Sequence, residues 1–107
     1  MVEQHMEAIR ALAQEFGVAR LEIFGSACTT EFDPTQSDID FLVEYPPGYE
    51  FGPWLKRYHQ LRRGLSDLLG HNVDLVSTRA LQDPWFAREA AKTRRVVYDA
   101  SDIALIA

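Results

Sequence analysis

The run Ser37-Asp38-Ile39-Asp40-Phe41-Leu42-Val43-Glu44-Tyr45 constrains this chain more than any other segment. Its Ile, Phe, Leu and Val residues favour pleated, half-buried backbone, so it predicts a strand. In a strand, residues two apart project from the same face, with Cα atoms ~6.5–7 Å apart. Asp38 and Asp40 therefore emerge together, while Ile39 and Phe41 turn to the opposite side. Two carboxylates held this close without a counter-ion repel, and one of them is expected to keep its proton to unusually high pH. A divalent cation removes the conflict, and hard oxygen ligands suit Mg2+ or Mn2+. The competing reading of the same pair is a solvated acidic face with no chemistry.

Two further features bear on that choice. Upstream, the run from Val18 to Phe24 reads as another strand and ends in Gly25-Ser26. Backbone N–H groups at such a turn, with the Ser26 hydroxyl, can cradle phosphate oxygens. Downstream, Asp74 sits in Val73-Asp74-Leu75-Val76, a third apolar strand that could place its carboxylate beside the Asp38/Asp40 pair. Taken alone, a Gly-Ser pair or a lone strand aspartate is weak. A turn, an Asp-x-Asp strand and a third strand aspartate together form a specific combination.

The remaining pattern predicts an α/β (α+β) domain with helices packed mainly on one face of a central mixed sheet of about four strands. Residues 3 to 16 carry Met6, Ile9, Leu12, Ala13 and Phe16 at helical spacing, with Gly17 as a stop. A second helix is expected from Trp54 to Leu69, with Trp54, Leu55, Tyr58, Leu61 and Leu65 on its apolar side and Gly64 weakening it. Residues 79 to 92 read as one or two short helices broken at Pro84, and Arg94 to Asp99 as a last strand. Residues 28 to 36 read as loop, so the first two strands pair most simply as antiparallel neighbours. The segment around Pro46-Pro47-Gly48 is too short for a domain linker, which leaves residues 1–107 as a single expected domain.

Composition narrows the class. The net charge is −5, from 16 acidic against 11 basic residues, the wrong balance for a protein that itself binds long nucleic acid. Two local basic clusters stand out, Lys56, Arg57, Arg62 and Arg63, and Arg88, Lys92, Arg94 and Arg95; the simplest reading of both is solvated helix surface. No apolar run approaches the ~20 residues that span a bilayer, and the N-terminus lacks the apolar core of a secretory signal, so a cytoplasmic protein is expected. Cys28 is the only cysteine, which excludes an internal disulfide, and a small packing role suits it better than nucleophile chemistry. Trp54, Trp85 and Phe86 exceed what so small a core needs, and a homodimer or hetero-oligomer is expected.

Gly25-Ser26, Asp38-x-Asp40 and Asp74, spread over nearly the whole chain, resemble the nucleotidyltransferase superfamily of the DNA polymerase β type, in particular the minimal nucleotidyltransferase (MNT) family. The resemblance implies that Gly25 and Ser26 hold the triphosphate of a nucleotide, with ATP as the substrate. It implies that Asp38, Asp40 and Asp74 are catalytic and hold two Mg2+ ions, Mn2+ being an alternative. It also implies a partner, a HEPN-domain helical ribonuclease toxin, and an antitoxin activity that transfers AMP to a tyrosine hydroxyl of that toxin with release of pyrophosphate. Two alternatives remain: a non-catalytic antitoxin that acts by occlusion, and a nucleotidyltransferase for a small molecule or RNA end that works with a separate substrate-binding subunit. The chain departs from the family pattern after Ser26, with Cys28 where alanine is usual and Thr30 where glycine is usual.

Overall fold

The computed structural model describes residues 2–28 and 38–102. Four strands, β1 (Arg20–Phe24), β2 (Ile39–Glu44), β3 (Val73–Ser77) and β4 (Arg95–Asp99), form one sheet in the order β3-β2-β1-β4. β1 lies antiparallel to both β2 and β4, and β2 lies parallel to β3. The sheet is therefore mixed and four-stranded, as the pattern predicted. Residues 29–37, which include Thr29, Thr30 and most of the expected loop, lie outside the described residues.

Alternation along the strands sorts the side chains to two faces. Leu21, Ile23, Ile39, Phe41, Val43, Val73, Leu75 and Val97 join the main core. That face is covered by α1 (Met6–Glu15), through Ile9 and Ala13, and by α2 (Lys56–Leu69), through Leu61, Leu65 and Leu69. The other face carries a smaller cluster of Phe24, Leu42 and Ala90, with Val76, Leu81 and Phe86 packed against it. Ala90 and Phe86 come from α3 (Pro84–Ala91), which Asp83 caps by accepting from the Trp85 N–H at 2.9 Å. The helices thus lie mainly on one face, with short α3 on the other. Cys28 packs against the main core, and burial pushes its thiol above the usual range, which suits a packing role and not a nucleophile.

Both sheet edges are protected by the covering helices. Arg10 of α1 donates from Nε to the Val97 carbonyl at 2.9 Å, and the Tyr58 hydroxyl of α2 donates to the Leu75 carbonyl. Each contact occupies a carbonyl on an edge strand, which would otherwise offer it to another chain. Gly64 sits where α2 meets α1: a Cβ there would meet the Leu12 methyls at 3.4 and 3.5 Å. Its weak helix propensity accompanies a close helix–helix approach.

The start of α2 differs from the sequence expectation. The helix begins at Lys56, and Trp54 and Leu55 precede it with φ of 57° and 55°. Neither reaches the core, since Trp54 is 95% and Leu55 52% exposed. The physical reason is the turn that contains them, closed by the Arg57 N–H on the Phe51 carbonyl at 2.8 Å. Here the rings of Tyr45, Tyr49 and Phe51 pack on one another with centroids 4.5 to 4.9 Å apart. The apolar spacing of Trp54 and Leu55 imitates a helix that this turn delays.

The basic clusters are also not simple solvated surface. Arg57 places its guanidinium 4.9 Å from the Phe16 ring centroid and donates from Nε to the Tyr49 hydroxyl at 2.8 Å. Arg94 grips Glu22, which is 2% exposed, through Nε to Oε1 at 2.9 Å and Nη2 to Oε2 at 2.6 Å. Arg20 Nε lies a further 3.5 Å from the same carboxylate. This fork ties the start of β4 to the middle of β1. Removing one partner leaves a buried charge uncompensated, whereas removing both leaves apolar surface. Arg94→Met should therefore lower the urea-unfolding free energy by about 2 kcal/mol, and adding Glu22→Met should recover most of that loss.

Candidate active site

The sequence-predicted residues gather at one end of the sheet. Asp40 on β2 is the register partner of Asp74 on β3, so their Cα atoms are separated by about one inter-strand spacing, ~4.8 Å. Both side chains lie on the face opposite α1 and α2, because the flanking Ile39, Phe41, Val73 and Leu75 fill the main core. Asp38 immediately precedes β2 and is exposed. Asp40 also pairs across β1 with Phe24, the residue just before the Gly-Ser turn.

Gly25 to Cys28 form a single 3-10 turn at the end of β1. Gly25 has φ of 81°, and a Cβ built on it would lie 2.6 Å from Asp40 Oδ2. No side chain fits between this backbone and the carboxylate, and the left-handed φ also favours glycine. The turn is thus in direct contact with the Asp40 carboxylate. The Gly25 N–H is already engaged, donating to Thr93 Oγ1 at 2.7 Å. Nothing in the local pattern around Thr93 marks it, because its partner lies 68 residues away.

The electrostatics match the expectation for crowded carboxylates. Asp40 has its pKa raised to about 6, first by burial and then by the negative charges of Asp74 and Asp38. Among the described residues, no three His, Cys, Asp or Glu side chains close into a ready-made metal cage. Asp38 and Asp74 are exposed, and only Asp40 is partly buried. The donor set itself, all carboxylate oxygens, fits a hard divalent ion. Asp38, Asp40 and Asp74 are the residues that would hold it.

Comparison with known proteins places these features in a wider group. A family model described as a nucleotidyltransferase domain matches residues 5–98. A Methanocaldococcus jannaschii protein assigned as protein adenylyltransferase MJ0128 is 39% identical over 79 residues, covering 74% of this chain and 76% of that protein. The protein adenylyltransferase MntA of Thermococcus cleftensis is 36% identical over 91 residues, covering 83% of this chain and 82% of its own. A solved structure of a tri-AMPylated Shewanella oneidensis HEPN toxin in complex with its MNT antitoxin superimposes with a TM-score of 0.63 at 18% identity. That match covers 98% of this chain and 79% of the other, and it carries the fold.

The raised pKa has a definite sign. The folded form holds a proton on Asp40 up to about pH 6, whereas an aspartate carboxyl ordinarily titrates at 3.8, so ionised Asp40 costs stability, and that cost grows as pH rises between these values. Asp40→Asn should raise the stability of metal-free protein at pH 7 by about 1 kcal/mol, allowing for solvent screening of a half-exposed group. In an NMR titration, the Asp40 carboxyl should show a midpoint near 6, lowered by Asp74→Asn and lowered further by added Mn2+ or Mg2+.

Proposed function

The chain belongs to the nucleotidyltransferase family, and on that premise we propose that it is the metal-dependent antitoxin of a HEPN/MNT pair that adenylylates its toxin. The substrate is ATP, the acceptor is a tyrosine hydroxyl of the HEPN ribonuclease, and residues 1–107 form a single minimal nucleotidyltransferase domain acting in the cytoplasm. The relatives named as protein adenylyltransferases support the reaction class, and the MNT–HEPN complex of the same fold supports the partner. The observation that carries the reading is the parallel register that sets Asp74 beside Asp40, whose carboxylate lies against the Gly25 turn.

In this reading, the turn of Gly25 and Ser26 receives the triphosphate, and the carboxylates stand beside it. Mg2+ or Mn2+ ions held by Asp38, Asp40 and Asp74, two in number, would offset the charge of the triphosphate and of the oxygens that enter and leave. The tyrosine oxygen forms a bond to the α-phosphorus, and the bond from that phosphorus to the bridging oxygen of the β-phosphate breaks. Pyrophosphate leaves with the electron pair. Asp74, exposed on β3, takes the tyrosine proton. Asp40 stays in contact with the Gly25 backbone and holds the turn and the carboxylate cluster in one fixed relation. The exposed rings of Trp54 and Trp85, 95% and 63% accessible, offer apolar surface to a partner subunit.

The test is incubation of the purified chain with α-labelled ATP, Mg2+ and a HEPN toxin that it neutralises. Label should appear on a tyrosine of that protein, and Asp40→Asn should reduce the rate by at least about 100-fold. Absence of label, with the Asp40→Asn protein still neutralising the toxin, would sink the catalytic reading in favour of occlusion.

A further inference from the structure

The α3–β4 junction contacts the Gly-Ser turn from outside the carboxylate cluster. Its backbone is fixed at both ends. The N–H groups of Thr93 and Arg94 both donate to the Ala90 carbonyl, at 3.1 and 2.9 Å. Ala90 is itself buried in the small core with Phe24 and Leu42. Arg94 is clamped to buried Glu22 by two hydrogen bonds. Thr93 lies between these anchors, and its Oγ1 accepts the Gly25 N–H at 2.7 Å. Gly25 in turn rests against Asp40 Oδ2, at a distance that excludes a Cβ.

A rigid chain of contacts therefore runs from Ala90 through Thr93 to Gly25 and on to the Asp40 carboxylate. The bond also uses the one N–H of Gly25, so that group is already engaged and is not offered to a phosphate. Gly25 is the pivot of the turn, and contact with a triphosphate falls to the groups that follow it. We infer that Thr93 is a positioning residue for nucleotide binding: its hydroxyl orients the Gly25 peptide and so sets the turn at a fixed height above the carboxylates. The inference rests on the assignment of the turn as the triphosphate site. A side chain of the same shape without an acceptor would leave the Gly25 N–H unpaired and free the peptide to rotate. The loss should fall on the nucleotide and spare the metal, because Asp38, Asp40 and Asp74 remain in place.

Thr93→Val keeps the shape and removes the acceptor; Thr93→Ser keeps the acceptor. The two variants and wild type are compared for Mn2+ affinity without nucleotide, for ATP affinity in saturating Mn2+, and for hydrogen exchange of the Gly25 amide. Thr93→Val should weaken ATP about tenfold, leave Mn2+ alone within about twofold, and strip protection from the Gly25 amide. Thr93→Ser should restore all three readings to within about twofold of wild type. Thermal melting of each variant checks folding, and a Thr93→Val protein that does not fold is replaced in the comparison by Thr93→Ala. Wild type that binds ATP, with a Thr93→Val protein that binds it equally well, overturns the positioning role alone. Equal losses of Mn2+ and ATP affinity reduce Thr93 to a general structural role and also overturn it. Wild type that binds Mn2+ but no ATP overturns the nucleotide reading and the inference together.

Discussion

The parallel pairing of β2 with β3 puts Asp40 and Asp74 directly opposite one another, and the site depends on that register. Shifting either strand by one residue would turn its whole apolar set away from α1 and α2 and send the carboxylate into the main core. The register is therefore held by the hydrophobic demands of Ile39, Phe41, Val43, Val73 and Leu75, and the two carboxylates are carried to their places by that packing. The fold accepts a local electrostatic cost, visible in the raised pKa of Asp40. Burial of a carboxylate beside two others is a cost that functional sites commonly carry.

The second half of the site is held from the opposite end of the sequence. Gly25 closes against Asp40 because it lacks a side chain, and it is held there by Thr93. Glu22 and Arg94 perform the matching task one turn of the pleat away, locking β4 to β1 through a buried fork. The small core of Phe24, Leu42 and Ala90 lies on that same face of the sheet. The carboxylates and the turn thus sit on a rigid platform whose supports come from both ends of the chain, which limits how far the two half-sites can drift apart.

Much of this was legible in the residues, for reasons that are local. The period-2 alternation of β2 turns Asp40 to the face opposite Ile39 and Phe41, and the crowding of carboxylates predicts the direction of the pKa shift that Asp40 shows, to which burial contributes most. The antiparallel pairing of β1 with β2 followed from the short connection between them. What the pattern concealed is long-range or conformational. Trp54 and Leu55 fall at helical spacing, but the turn before α2 gives them left-handed backbone and leaves them exposed. Glu22, flanked by Leu21 and Ile23, is buried with Arg94, 72 positions away, gripping its carboxylate, a partner that its local pattern does not announce. Arg57 and Arg94 looked like members of charge clusters, yet one lies over an aromatic ring and the other pairs inside the fold. The peptide contact of Thr93 had no sequence signal at all.

In the proposed reading, Gly25-Ser26 and the three aspartates form one metal–nucleotide site. Paramagnetic broadening by Mn2+ in the presence of ATP, followed across the backbone amides, tests it most directly. Broadening centred on residues 25–26, 38–40 and 74, abolished by Asp40→Asn, is the predicted result. Broadening centred elsewhere, or broadening that survives Asp40→Asn unchanged, would rule out a shared site.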